Sequence, residues 1–172
     1  MEQITIQARP GESLEFKGDT VICDPCYFFS TKHHVWADLV EQMFKPGNEA
    51  IRDSGIATVT RQGHEFSFIY TSTAYGDGVF DMSVVSSGAR IEGTEIGVDA
   101  GLICAVLRSD AESFDLQFKG SEMGMVIKDF DGTIMVNPDE GVLFGEGNVK
   151  FAVETGNDEW EEDEEDEWEE ED

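Results

Sequence analysis

Apolar and polar residues alternate with the two-residue period of β-strands along most of this chain. The clearest pair of such runs, residues 56–60 and 66–70, flanks the polar break at residues 61–63, which predicts a β-hairpin. The continuous apolar run 102–107 is typical of a strand at the centre of a sheet. Further short strands are predicted over residues 4–6, 14–16, 21–23, 79–85, 91 and 96–98.

Turn sequences rich in glycine separate these runs. Lys17-Gly18-Asp19 predicts a turn, and Asp131-Gly132 predicts a hairpin between two apolar runs. Residues 145–148, Gly-Glu-Gly-Asn, predict a second hairpin of the same kind. Residues 74–78, Ala-Tyr-Gly-Asp-Gly, predict a tight turn in which glycine adopts a positive φ.

One segment has the helical period instead. Val35, Leu39 and Met43 recur at four-residue spacing, and Lys45-Pro46-Gly47 ends the pattern, so a helix is predicted at about residues 32–45. The predicted fold is mainly β: an antiparallel β-sandwich or barrel with one packed α-helix, occupying residues 1–152. Residues 153–172 are predicted to be a linker and a disordered acidic tail.

The acidic tail is the part of the sequence that indicates most about function. Residues 158–172 contain thirteen acidic residues, two tryptophans and no Lys or Arg. Acidic runs are usually solvated, but tryptophan is a large amphipathic anchor at interfaces. The pattern therefore favours a docking strip for a basic, partly apolar surface over a purely solubilising tail. The partner-binding residues predicted here are Asp158, Glu159, Trp160, Glu161, Glu162, Asp163, Glu164, Glu165, Asp166, Glu167, Trp168 and Glu169.

The acidity is not confined to the tail. The formal net charge is −27, of which the tail supplies −13, and the remaining residues are still strongly acidic. Such a body is repelled by nucleic acid and by anionic membranes, and it attracts basic protein surfaces. The expected partner is therefore a basic, nucleic-acid-binding protein, with no direct nucleic acid or membrane binding.

Three cysteines, no signal-peptide pattern and no long apolar run indicate a reducing, cytoplasmic setting. Cys23 and Cys26 have the spacing of a zinc knuckle, and His33, His34 and Cys104 are possible further ligands. A second ligand pair at comparable spacing is missing, so buried structural cysteines are favoured and no metal or cofactor is predicted. Pairing of a cysteine with His33, His34 or His64 for nucleophilic chemistry is the weaker alternative.

Three stretches resemble the markers of small phage- and bacteria-encoded proteins of unassigned function. They are residues 22–27 with Asp-Pro-Cys-Tyr, residues 75–80 with Gly-Asp-Gly before an aromatic residue, and residues 96–103 with Val-Asp-Ala-Gly. The resemblance implies a phage-like source, hence the host cytoplasm, and a compact β fold, and it carries no activity to transfer. In composition alone, the chain is similar to phage antirestriction proteins that imitate the charge of DNA.

Two main functions follow as hypotheses, and a virion or assembly protein whose tail docks a basic partner is a weaker third. The first is a phage-encoded interaction protein, not an enzyme, that binds and inhibits a basic nucleic-acid-binding host protein. Its carboxylates would replace phosphates, and Trp160 and Trp168 would replace stacked bases. The alternative is a small enzyme or ligand-binding β-domain. Its pocket would contain Asp24, Cys26, Tyr75, Asp77 and Asp99.

Overall fold

The computed structural model describes residues 4–25, 33–61, 63–73, 78–86, 88–93, 95–98, 101–113 and 124–155. Its strands are β1 Ile4–Arg9, β2 Ser13–Cys23, β3 Ser54–Arg61, β4 His64–Ser72, β5 Gly78–Phe80, β6 Ser83–Val84, β7 Ile91–Glu92, β8 Ile96–Val98, β9 Leu102–Leu107, β10 Met125–Asn137, β11 Val142–Gly147 and β12 Phe151–Glu154. The helices among these residues are α1 His33–Phe44, α2 Glu49–Arg52 and α3 Arg108–Ser113.

Ten strands form one antiparallel sheet in the order β1-β3-β4-β9-β2-β10-β11-β12-β6, with β7 added beside β10. Strands β5 and β8 pair separately. The sheet curls, so that β11 comes against β4 although several strands lie between them in the sheet. The predicted class, antiparallel β with one packed helix, is confirmed.

Two cores lie on the two faces of the central strands. One is closed by helix α1 and contains Val35, Leu39 and Met43 together with Val21 and Cys104. The other lies inside the curl of the sheet and is built from the side chains listed next: Phe16, Ile22, Ile69, Ile103, Ile127, Phe130, Ile134, Leu143, Phe151 and Val153. Because successive strand residues point to opposite faces, the apolar run of β9 serves both cores at once.

Helix α1 spans His33–Phe44, within one residue of the prediction at each end. The predicted hairpin around residue 62 is the β3–β4 hairpin, in which Arg61 pairs with His64. The hairpin predicted at residues 145–148 is also present, with Gly145 of β11 paired with Phe151 of β12. Two short helices, α2 and α3, were not predicted, because four and six residues are too few to show a helical period.

Two turn predictions are wrong. Asp131 and Gly132 lie inside the continuous strand β10, which pairs with β2 and β11 at once. Likewise Lys17, Gly18 and Asp19 lie inside β2, opposite a bulge in β10. Gly18 has φ 132° and Asp129 has φ 52°, so both strands bend at this point without reversing.

The predicted strand over residues 79–85 is two strands in different sheets. Residues 78–80 form β5, which pairs with β8, and residues 83–84 form β6, which pairs with β12. The glycine at the start of β5, Gly78, does not have a positive φ. The remainder of the turn predicted at residues 74–78 lies outside the described residues, as does the acidic tail.

Candidate functional site at one end of the sheet

Of the residues predicted for the pocket, Asp24 is described by the structure. Cys26, Tyr75, Asp77 and Asp99 lie outside the described residues, and so do the predicted partner-binding residues of the tail, which run from Asp158 to Glu169. The elements that flank these positions are described, and they fix where each marker stretch joins the fold.

All three marker stretches join the same end of the sheet. Strands β4, β9 and β2 are neighbours in the sheet order. Ser72, at the end of β4, pairs with Leu102, at the start of β9. Cys23, at the end of β2, pairs with Cys104 of β9. Strand register therefore brings residues that are far apart in sequence to one end of the sheet.

Two of the stretches are joined directly at their flanks. The Thr73 N–H donates to the carbonyl oxygen of Gly101 over 3.0 Å. On the other side, Gly78 pairs with Val98 in the β5–β8 ladder. The segment between Thr73 and Gly78 and the segment between Val98 and Gly101 are thus tied together at both ends. Sequence reasoning had no signal for this, because these links join residues twenty or more positions apart.

Asp24 follows β2 directly, and its side chain is fully buried. A buried carboxyl group is tolerated where hydrogen bonds or opposite charges compensate its lost hydration. Such a group commonly anchors a loop, and it is also the kind of group that functional sites use. Its position at the end of β2, at the same end of the sheet as the flanks of the other two stretches, is compatible with both roles.

The buried side chains next to Asp24 form part of the hydrophobic core. Cys23, Cys104 and Tyr70 are neighbours across β2, β9 and β4 and belong to the core beneath helix α1. The Tyr70 hydroxyl donates to the carbonyl oxygen of Ile51 over 2.6 Å, and burial raises the pKa of this hydroxyl. Tyr70 therefore keeps its proton and holds α2 against the sheet.

The geometry disfavours pairing of His64 or His34 with Cys23 or Cys104. His64 begins β4, whereas Tyr70, the neighbour of Cys104, lies six residues further along that strand, or about 20 Å away. His34 is exposed on α1, while Cys23 and Cys104 are buried. The side chains of Cys26 and His33 are outside the described part of the chain.

A second group of charged residues lies at the bend of β2 and β10. The Lys128 ammonium contacts the Asp19 carboxylate at 2.8 Å, and Arg90 pairs with Asp129. The hydrogen bond from Lys128 lowers the pKa of Asp19, and the same bond raises the pKa of Lys128. Asp19 also accepts the Asp129 N–H over 3.0 Å, so this cluster pins the bulge.

Asn148 completes this arrangement. Its side-chain amide donates to the carbonyl oxygen of Asp129 over 2.7 Å and accepts the Asp131 N–H over 2.8 Å. These two bonds hold the backbone of Asp129 and Asp131 at the bend of β10. No three His, Cys, Asp or Glu side chains of the described ranges gather closely enough to hold a metal ion.

A cavity of about 230 Å³ lies elsewhere, between the outer edge of β1 and the turn that joins α1 to α2. Two side-chain amides that line this cavity already form hydrogen bonds. The Gln42 amide bonds the backbone of β1, and the Asn48 amide donates to the carbonyl oxygen of Gln42 over 2.8 Å. Asp24 does not line it, so this cavity is unrelated to the end of the sheet described above.

Comparison of the chain with protein-family models, with curated proteins and with solved structures finds no match. Among the helices that the structure describes, none is long and apolar enough to cross a membrane.

Proposed function

We propose that this protein is an acidic binding protein whose C-terminal strip occupies the nucleic-acid-binding surface of a basic host protein and blocks it. The observation that carries the proposal is the composition of residues 158–172, with thirteen carboxylates around two tryptophans. The carboxylates supply long-range attraction and fast encounter, and the tryptophans supply contact area once the strip is bound.

The folded domain supports this proposal through its own charge. Three of its cations, Arg90, Arg108 and Lys128, lie beside Asp129, Glu92 and Asp19. These cations are neutralised locally, so the excess of carboxylates sets the field of the surface. An acidic domain joined to an acidic strip repels nucleic acid and steers basic proteins toward it.

The test is affinity capture from a nuclease-treated bacterial lysate. Three baits are compared: the full chain, a chain ending at residue 157, and the full chain with Trp160→Ala and Trp168→Ala. Nuclease removes bridging nucleic acid, and elution with duplex DNA then identifies partners that use their nucleic-acid-binding surface. We expect the full chain alone to retain such proteins strongly.

The two parts of the strip have separable effects on the rates. Replacing its carboxylates by amides should mainly lower the association rate with the captured protein, since steering depends on charge. Replacing the tryptophans should mainly raise the dissociation rate, by about thirtyfold if one hot spot of ~2 kcal/mol is lost. Equal capture by the chain ending at residue 157 would contradict the proposal.

The second candidate function is a binding or catalytic site at the end of β4, β9 and β2. The observation that favours it is that the described flanks of the three marker stretches lie at this end of the sheet, where the fully buried Asp24 follows β2. The predicted residues Cys26, Tyr75, Asp77 and Asp99 belong to this candidate.

Asp24→Asn distinguishes this second candidate from a purely structural anchor. Asn keeps the size of the side chain and removes its ability to ionise. If Asp24→Asn abolishes capture by the chain ending at residue 157 and leaves its melting temperature unchanged, the result would support a site. A lowered melting temperature with unchanged capture would assign Asp24 to loop anchoring alone. Asp38→Asn, at an exposed position on helix α1, is the matched control.

A further inference from the structure

The face of the sheet that helix α1 covers continues beyond the strands beneath that helix. On β2, Val21 and Cys23 pack in the core under α1, whereas Phe16 and Ile22 point into the curl of the sheet. Because successive strand residues point to opposite faces, Ser13 lies on the same face as Val21 and Cys23. Among the described elements the helices pack mainly against β1, β2, β3 and β9, so none of them packs broadly over β11 and β12.

Strand register aligns a row of side chains on this second part of the face. Met135 of β10 pairs with Ser13 of β2 on one side and with Phe144 of β11 on the other. Phe144 pairs in turn with Ala152 of β12. Leu143, the neighbour of Phe144 along β11, belongs to the inner core, so the row points outward.

Four partly exposed apolar side chains form the centre of this surface, which we call the outer patch: Met135, Val142, Phe144 and Ala152. Neither core of the described residues includes them. Neighbouring strands lie about 4.8 Å apart, so the row from β10 to β12 spans about 10 Å. An α-helix with its side chains is about 10–12 Å in diameter, so the width of the outer patch matches one helix.

Carboxylates flank the outer patch at both ends. At one end, Thr133 of β10 pairs with both Glu15 of β2 and Glu146 of β11. At the other end, Val142 of β11 pairs with Glu154 of β12. All three glutamates are exposed. The outer patch is therefore an apolar surface between two acidic ends.

We propose that the outer patch binds a basic amphipathic helix of a partner protein. The apolar stripe of the helix lies on the four side chains of the patch, and Lys or Arg residues beside the stripe reach the three glutamates. Methionine adapts its shape to different partners, and phenylalanine supplies a large contact area. The same face already packs against a helix with an apolar stripe, since Val35, Leu39 and Met43 of α1 lie on its other part.

Charge favours this occupant over two others. A second copy of the chain docked on its own patch would bring two sets of glutamates together, and like charges across an interface oppose binding. Nucleic acid is repelled by the same carboxylates. Lys150, which is exposed next to β12, offsets only one of the three negative charges. A helix that carries positive charge beside its apolar stripe satisfies both features of the patch.

The outer patch lies on the folded domain, so the inference goes beyond the proposed role of the acidic strip and does not require it. The proposed function fails if removal of the strip leaves capture unchanged. The present inference fails on binding of a defined peptide, so the two failures are distinguishable.

The probe is a synthetic peptide of about 18 residues, or five helical turns, built from leucine, lysine and alanine. Its leucines recur at i, i+3, i+4 and i+7, which places them on one face. The comparison peptide is an isomer of the same composition whose leucines are spread around the helix. Both carry the same charge, so the acidic strip attracts them alike. Fluorescence anisotropy of each labelled peptide with the full chain, in about 0.15 M salt, measures the affinities.

Two variants of the full chain change the patch and its charge separately. Met135→Thr with Phe144→Thr removes apolar surface from the centre and keeps residue types that favour strands. Glu15→Gln with Glu146→Gln removes two charges from one end and keeps the size of the side chains. Melting curves check that each variant folds. If the double threonine variant does not fold, Phe144→Thr alone takes its place.

The matched controls lie on the helices that pack over β1 and β3, away from the outer patch. Phe44→Thr removes a large exposed apolar side chain from α1. Glu41→Gln with Glu49→Gln removes two exposed carboxylates from α1 and α2. These variants lower apolar exposure and net charge without touching the patch.

We expect the parent chain to bind the amphipathic peptide about tenfold or more tightly than its isomer, since only this peptide presents a continuous apolar stripe to be buried. The threonine variant should lose this preference, while Phe44→Thr should keep it. The Glu15→Gln, Glu146→Gln variant should bind the amphipathic peptide about threefold more weakly than the charge control does, since exposed ion pairs contribute modestly.

Four results would overturn the inference. One is equal affinity of the parent for the two peptides, which would assign binding to charge alone. Another is a preference that persists in the threonine variant, which would place the apolar contact elsewhere. A third is equal weakening by the two pairs of glutamine substitutions. The last is a parent chain that dimerises in sedimentation experiments while the threonine variant stays monomeric, which would assign the outer patch to a second copy of the chain.

Discussion

Gly132 occupies a position in β10 where no larger residue fits. A Cβ built on it would lie 2.7 Å from the Cα of Gly147 on β11, and its nearest heavy atom would be the carbonyl oxygen of Glu146. Gly132 and Gly147 pair directly, so two backbones approach closely where the strands cross the bend. The Asp-Gly sequence here serves close packing and not chain reversal.

We therefore predict that Gly132→Ala lowers the free energy of unfolding by about 1–3 kcal/mol or more, because backbone atoms must move to admit the methyl group. Gly78→Ala is the matched control. Its added Cβ would meet the Phe80 ring at 3.6 Å, which is ordinary contact, and its φ is not positive. Urea denaturation of both variants measures the contrast, and equal losses would contradict it.

The ion pair between Asp19 and Lys128 gives a second prediction at this scale. The Lys128 hydrogen bond holds the pKa of Asp19 below its ordinary value. A carboxyl group whose pKa is depressed by folding stabilises the fold above its unfolded pKa, and that stability is lost as pH falls through the folded pKa. Both side chains are partly exposed, so the effect is small.

Asp19→Asn should therefore lower the urea midpoint at neutral pH, and the difference from the parent chain should shrink below about pH 4. Asp38→Asn on helix α1 serves as the control for removing one negative charge. A difference that stayed constant from pH 7 to pH 3 would show that the ionised form of Asp19 contributes nothing.

At the scale of elements, helix α1 does more than cover a core. Its Gln42 side chain accepts the Ala8 N–H over 2.9 Å and donates to the carbonyl oxygen of Ile6 over 2.7 Å. These are the outward-facing backbone groups of β1, the first strand of the sheet. One side-chain amide thus replaces part of a missing neighbouring strand and protects this edge from pairing with other chains.

Gln42→Glu tests that role with little change of shape. The carboxylate still accepts the Ala8 N–H, but it faces the carbonyl oxygen of Ile6 with no proton to donate. We expect a loss of about 1–3 kcal/mol in the free energy of unfolding, and increased self-association by light scattering. Gln7→Glu, on the exposed face of β1, is the control, and equal behaviour of the two variants would remove the role.

The elements that could be predicted from sequence are those specified by local patterns. Helix α1 carries its own period and stop signal, and the β3–β4 hairpin carries its own turn. By contrast, the bend of β2 and β10 depends on Asp19, Asp129 and Asn148, which meet only after the strands have paired. A glycine pair such as Asp131-Gly132 looks the same locally whether it turns the chain or allows two strands to approach.

The candidate site follows the same division. Asp24 was correctly placed at the end of a strand. The location of the described flanks of the three marker stretches at one end of the sheet depends on the pairing of β4, β9 and β2, which has no local signature. The exposure of the β6 valines could not be predicted from the sequence either, because an apolar run predicts burial unless the edge of the sheet is known.

At the scale of the whole molecule, charge and fold are separable. The described cores are built entirely from residues between Ile4 and Val153. The chain carries a formal net charge of −27, and close to half of it belongs to residues 158–172. Self-repulsion of this size opposes the compact state at low ionic strength and is screened by salt.

Removing residues 158–172 should therefore leave the cores intact and relieve repulsion. In about 0.01 M salt, where the Debye length is about 30 Å, we expect the truncated chain to melt at the same temperature as the full chain or above it. In about 1 M salt, where the Debye length is about 3 Å, the two melting temperatures should converge. Differential scanning calorimetry at both salt concentrations measures this.

The control is a full-length chain in which the tail carboxylates are replaced by amides, which should behave like the truncated chain, because the effect comes from charge and not from length. A truncated chain that melts well below the full chain at every salt concentration would show that the tail contributes to the folded core, and the division between a folding domain and a charged docking strip would be wrong.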